Sequence, residues 1–128
     1  MERAPRTVAV VEDDPSMRRS VERLLNAHGF ATEGYSSAET FLHGDTKNRI
    51  GCLVLDIHLN GMSGIELRHR LKDAGSSLPV IFITAVDDKA LELEGTQAGC
   101  VAYLHKPFPA VLLIGAVNRA LGGGVPTD

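Results

Sequence analysis

The sequence predicts a doubly wound α/β protein: a five-stranded parallel sheet with five helices distributed over its two faces. Short apolar runs alternate with stretches of helical periodicity, the pattern that buries a parallel sheet between helix layers. The loops between them are short, which suits right-handed βαβ crossovers. Four of the runs also close on a chemically active group. Val8-Ala9-Val10-Val11 leads into Glu12-Asp13-Asp14, and Cys52-Leu53-Val54-Leu55 into Asp56. Val80-Ile81-Phe82-Ile83 ends in Thr84, and Val101-Ala102-Tyr103-Leu104 is followed by His105-Lys106-Pro107. In an open parallel sheet, ligands bind outside the carboxyl ends of the strands. Neighbouring strands would bring carboxylates for a cation, a lysine for an anion and one central aspartate to a single rim.

Residues 7–11 form the first strand. Asp14 offers an N-cap and Pro15 fits the first helical position. Met17, Val21, Leu24 and Leu25 share one helical face, and Gly29 marks the stop. Phe30 to Tyr35 alternates apolar and polar residues, as a half-buried edge strand does. Its end, Tyr35-Ser36, carries no reactive group, which suits the outer edge. Ser37 caps a second helix running to about Gly44, with Ala38, Phe41 and Leu42 inward.

Ile50 to Leu55 is the most continuously apolar run and belongs at the centre of the sheet. Asn60-Gly61-Met62-Ser63-Gly64 leads to a helix carrying Ile65, Leu67 and Leu71 and ending near Gly75. Leu78-Pro79 opens the fourth strand, Val80 to Thr84. The helix from about Asp88 to Ala98 is the weakest, since Gly95 alone costs something near 1 kcal/mol against alanine. Val101 to Leu104 is the fifth strand. Pro107 is expected to open the last helix, whose core face is Leu113, Ala116, Val117, Ala120 and Leu121. On the opposite side of that helix Val111, Leu112 and Gly115 leave an outer face with few charges, the kind of surface that marks an interaction site. Residues 1–6 read as an N-terminal extension, 7–121 as the domain and 122–128 as a flexible tail or linker.

A chain of 128 residues is one ordinary domain, and its 44% hydrophobic and 23% charged residues are those of a globular protein. The net charge of −3 argues against nucleic-acid binding by this domain itself, where a basic face is needed. No apolar run approaches the ~18 residues that cross a bilayer, so no membrane role is expected. Cys52 and Cys100 sit in apolar runs and read as buried, reduced thiols of a cytoplasmic protein. The five histidines show no zinc-like spacing.

With Val11-Glu12-Asp13-Asp14-Pro15, Leu55-Asp56-Ile57-His58-Leu59 ahead of Gly61-Met62-Ser63-Gly64, Ile83-Thr84-Ala85 and Tyr103-Leu104-His105-Lys106-Pro107-Phe108 in this order, the chain resembles the receiver domain of two-component response regulators. The segment Ser37-Ala38-Glu39-Thr40-Phe41-Leu42 is most similar to receivers that precede helix-turn-helix DNA-binding domains. The resemblance implies a flavodoxin-like, three-layer sandwich with sheet order 2-1-3-4-5. It implies Asp56 as phosphoacceptor, taking its phosphoryl group from a sensor histidine kinase. Mg²⁺ would be ligated by Asp13, Asp56 and the backbone carbonyl of His58, with Glu12 acting through a water. Thr84 and Lys106 would hold the phosphoryl oxygens, aided by the backbone N–H groups of Ile57 and Ala85. Thr84 and Tyr103 would form the switch, and Lys106-Pro107 a cis peptide. Val111 and Leu112 would join a partner face for a phosphorylation-dependent homodimer or effector.

The residue types suit that chemistry. Clustered carboxylates repel one another, and a divalent cation relieves the repulsion and keeps Asp56 ionised as a nucleophile. Lys106 complements the charge spread over a transferring phosphoryl group. His58 and Asn60 depart from the residues usual in such receivers at those places, arginine, methionine or leucine for the first and proline for the second. Plainer readings exist for each group. Glu12-Asp13-Asp14 could be an N-capping cluster, which is the preferred reading of Asp14. Thr84 could satisfy a local backbone group, and Tyr103 could be an ordinary half-buried strand aromatic. A small Mg²⁺-dependent phosphatase using Asp56 transiently is the rival function, yet His58 stands where such enzymes carry a second acid, and 128 residues leave no room for a cap. A pseudo-receiver acting only as a binding module is the other alternative.

Overall fold

A computed structural model describes residues 6–44 and 49–122. Most of the expected N-terminal extension and tail, residues 1–5 and 123–128, therefore lies outside the described residues. Strands β1 (Thr7–Val11), β2 (Thr32–Tyr35), β3 (Ile50–Asp56), β4 (Val80–Thr84) and β5 (Ala102–His105) alternate with helices α1 (Pro15–Ala27), α2 (Ala38–His43), α3 (Gly64–Asp73), α4 (Lys89–Ala98) and α5 (Ala110–Ala120). The strands form one sheet in the order β2-β1-β3-β4-β5, with every pairing parallel. The most apolar run, β3, lies at the centre, and β2 is an edge, as the sequence predicts.

Alternation along the strands divides the core in two. Ala9, Val11, Leu53, Leu55 and Phe82 pack against Ala38 and Phe41 of α2, Ile65 and Leu67 of α3 and Ala98 of α4. On the other face Val8, Val10, Cys52, Val54, Ile81 and Ile83 meet Val21 and Leu25 of α1 and Leu113, Ala116 and Val117 of α5. Each fully buried branched aliphatic or aromatic side chain contributes roughly 1.5–3 kcal/mol. These two layers hold the carboxyl ends of β1, β3, β4 and β5 side by side.

Helix starts follow local chemistry. Asp14 accepts the Ser16 N–H at 2.9 Å, Ser37 the Thr40 N–H at 3.0 Å, Ser63 the Glu66 N–H at 3.1 Å and Asp88 the Leu91 N–H at 3.1 Å. The last helix departs from the expectation that Pro107 opens it. It begins at Ala110, after an extended Pro109 with φ −64° and ψ 141°. Phe108 precedes that proline and is thereby disfavoured from helical conformation, so the helix cannot include it. The Lys106–Pro107 peptide is cis. β3 runs one residue further than predicted, through Asp56, and β5 is shifted by one residue to end at His105. Cys52 is fully buried, but Cys100 is only half-buried, because it lies past the C-cap of α4 and outside the strand.

Two glycines mark close approaches. A Cβ on Gly64 would lie 2.3 Å from the carbonyl oxygen of Asp56, so α3 starts directly against the backbone of that residue. Gly95 is buried in α4, and a Cβ there would lie 3.0 Å from Tyr103 Cε2. The glycine that weakens α4 also makes room for the Tyr103 ring. No helix among the described residues is long and apolar enough to cross a membrane.

Candidate functional site

The site sits at the carboxyl rim of the sheet. The chain leaving β1 carries Glu12, only 1% exposed, and the half-buried Asp13. Asp56 ends β3, is 5% exposed, and lies level with Ile83 of β4. Glu12, Asp13 and Asp56 each offer a carboxylate oxygen, and these oxygens lie within 4.8 Å of one another. Lys106, just beyond β5, donates through Nζ to Glu12 Oε1 at 2.7 Å and to Asp56 Oδ2 at 3.2 Å. Asp14 is exposed and turned to helix capping, the plainer of its two readings.

The surrounding backbone fixes these groups. Glu12 Oε2 accepts the Asp14 N–H at 3.1 Å, and Arg18 of α1 donates to the Glu12 carbonyl at 2.7 Å. Asp13 Oδ2 accepts the Asn60 N–H at 3.1 Å. Asp56 Oδ1 accepts the His58 N–H at 2.9 Å. The Ile57 N–H does not face the site as the sequence reading expected; it donates to the Ile83 carbonyl at 3.1 Å. The reason is the extra strand residue: with Asp56 inside β3, the ladder to β4 takes the next amide, and the amide that meets the Asp56 carboxylate is that of His58. Arg18 and the His58 N–H are the contributors that sequence reading missed. Strand parity past Asp56 was the signal for the second; nothing local marked the first.

Thr84 is fully buried at the end of β4, and its Oγ1 accepts the Val86 N–H at 3.1 Å. That contact agrees with the plainer reading of Thr84 and leaves the hydroxyl proton free to donate. Ala85, the next residue, is exposed on the rim. The Lys106 N–H donates to the Thr84 carbonyl at 2.7 Å, which ties the lysine loop to β4. Tyr103 is half-buried, its ring 6.2 Å from Phe82 and 5.5 Å from His105 between centroids. Its hydroxyl is buried with no hydrogen-bond partner among the described residues. The His58 side chain is exposed.

Electrostatics reflect crowded acids around one ammonium. Burial pushes the Glu12 carboxyl up to about 7, the Asp56 carboxylate adds to the rise, and the Lys106 hydrogen bond only partly opposes it. Burial alone would lower the Lys106 pKa, but Glu12 and Asp56 outweigh it and hold the ammonium above its ordinary value. Burial likewise raises the Tyr103 phenol, helped by Glu92 and Asp88. Three clustered carboxylates form a hard oxygen donor set, which fits Mg²⁺. Away from the rim, Val111 and Leu112 are 73% and 50% exposed, so both point outward from α5.

Residues 8–118 match the family model of the response regulator receiver domain. The transcriptional regulatory protein FixJ of Rhizobium meliloti is 38% identical over 114 residues, covering 89% of this chain and 56% of that protein. The response regulator protein TodT of Pseudomonas putida is 32% identical over 114 residues, covering 89% of this chain and 50% of that protein. The chain thus spans about half the length of the curated relatives it matches. Among solved structures, the crystal structure of FixJ-N superposes with a TM-score of 0.86 at 36% identity, over 98% of this chain and 99% of that one.

Proposed function

Because the chain belongs to the response regulator receiver domain family of two-component signalling, we propose that it accepts a phosphoryl group on Asp56 from a sensor histidine kinase and answers by altering a partner-binding face. The observation that carries this reading is the position of Lys106 Nζ, which bonds both Glu12 and Asp56 while Asp13 completes the acidic cluster. A lone strand-end aspartate has no use for such a set, whereas a phosphoacceptor needs all of it.

Asp13 and Asp56 would hold Mg²⁺ directly, with the His58 carbonyl, and Glu12 would act through a water. When bound, the cation would neutralise the clustered carboxylates and offset the charge on the transferring oxygens. An Asp56 carboxylate oxygen attacks phosphorus and forms the O–P bond as the P–N bond to the kinase histidine breaks. The departing nitrogen keeps the electron pair. Lys106 turns toward the phosphoryl oxygens, and the His58 and Ala85 amides and the Thr84 hydroxyl supply further donors. His58 takes the place first given to the Ile57 amide, which is committed to the sheet. To donate, Thr84 rotates away from the Val86 N–H, and Tyr103, whose hydroxyl has no hydrogen-bond partner among the described residues, moves with that change. The altered surface includes Val111 and Leu112 and serves a homodimer or effector.

Beryllofluoride, a phosphoryl mimic, tests the site directly by fluorine NMR. A bound signal should require both Mg²⁺ and the Asp56 carboxylate. A bound signal of equal intensity in Asp56→Asn contradicts the proposal.

A further inference from the structure

The loop between β3 and α3, residues 57–63, brings the His58 amide to Asp56 at 2.9 Å, yet it contains no proline to stiffen it. Two carboxylates from other elements hold it. Asp13 takes the Asn60 N–H at 3.1 Å, a donor that a proline at that position would lack. Glu39 of α2 takes the Met62 N–H at 2.9 Å through Oε2. Between the two tethers Gly61 turns at φ +80°, and a Cβ there would lie 2.7 Å from Glu39 Oε2. Gly61 thus permits the turn and clears the space that the carboxylate occupies.

The tethers are not equivalent. Asp13 belongs to the acidic cluster and would share its carboxylate with a cation. Glu39 stands outside that cluster, on a helix anchored by the Ser37 cap and by buried Ala38 and Phe41. The Met62 N–H holds the Glu39 carboxyl below the usual carboxylate range. That contact therefore favours the ionised acceptor.

We propose that Glu39 is a positioning residue for the phosphoacceptor site: from α2 it fixes the 57–63 loop and so holds the His58 amide and carbonyl beside Asp56. The inference rests on the reading of Asp56 given above, but its test does not. Amide exchange in the metal-free, unphosphorylated protein reads the clamp without any chemistry at Asp56. In Glu39→Ala the Met62 and His58 amides should both exchange about tenfold faster, as expected when a loop's opening becomes easier. Glu39→Gln, whose side-chain oxygen can still accept, should lie between wild type and Glu39→Ala. Mg²⁺ titrated into the same samples should bind about threefold more weakly to Glu39→Ala, a size in keeping with one lost charged hydrogen bond near the surface. Unchanged Met62 exchange in Glu39→Ala overturns the clamp. Faster Met62 exchange with an unmoved His58 amide overturns the positioning role. A Mg²⁺ affinity indifferent to Asp13→Asn would count against the metal reading alone, since the two amides report on Glu39 independently.

Discussion

Lys106 lies 2.7 Å from a Glu12 oxygen and 3.2 Å from an Asp56 oxygen, so its charge is shared between Glu12 and the proposed phosphoacceptor. In the proposed division of labour it serves the phosphoryl group and not the cation. Lys106→Ala should therefore keep Mg²⁺ binding, with an affinity gain of roughly twofold to threefold from the lost repulsion, while the phosphorylation response disappears. A titration showing a loss comparable to that of Asp13→Ala would contradict this division. Glu12 gives a pH signature in the metal-free protein. Burial raises its folded pKa from 4.5 to about 7, so between those values the native state binds a proton that the unfolded chain has released. Stability from this group is then fully present below pH 4.5 and falls as pH rises towards about 7. Urea denaturation across that window should show a fall that Glu12→Gln flattens. Burial also pushes the Cys52 thiol up to about 12, whereas Cys100 is half-buried. A thiol reagent should modify Cys100 first in the native protein and reach Cys52 at the rate of unfolding. The main acids and the lysine were legible in the sequence because each follows an apolar run. The His58 amide, Arg18 and Glu39 were not, since their roles depend on strand parity or on contacts between distant elements.

At the scale of elements, Gly95 sets two effects against each other. Alanine at a solvent-facing helix position would gain up to about 1 kcal/mol. Here its Cβ would meet the Tyr103 ring at 3.0 Å and Phe82 Cδ2 at 3.5 Å, and both rings are packed. Gly95→Ala should therefore show no gain in urea midpoint, whereas the same change in a Tyr103→Ala background should recover the helix gain. Full stabilisation of the single variant would show that the ring yields freely. Gly64 leaves no such choice, because its Cβ would sit 2.3 Å from the Asp56 carbonyl. The element pattern itself was readable: apolar runs gave most of the strands, and the caps Asp14 and Ser37 announced two of the helices. The start of α5 was misread because Pro107 resembles a first-turn proline, while the steric effect of Pro109 on Phe108 decides the boundary.

For the whole molecule, topology turns separate strand ends into one site, while large apolar side chains stay exposed on and near its last two helices. Val111 and Leu112 are exposed near the start of α5, and Val86 and Leu93, 40% and 58% exposed, lie around α4. If that face changes on phosphorylation, Leu112→Glu should abolish beryllofluoride-dependent association in sedimentation without affecting beryllofluoride binding. Association unchanged by the variant would remove this face from the proposal. The sheet order came from resemblance, since helix and strand patterns alone leave more than one doubly wound arrangement open. The central claim is that Asp56 is the phosphoacceptor and needs a divalent cation. Intact-mass analysis after incubation with acetyl phosphate tests it most directly. Wild type with Mg²⁺ should gain one phosphoryl group, and both Asp56→Asn and metal-free wild type should gain almost none. Equal labelling of wild type and Asp56→Asn would contradict the account.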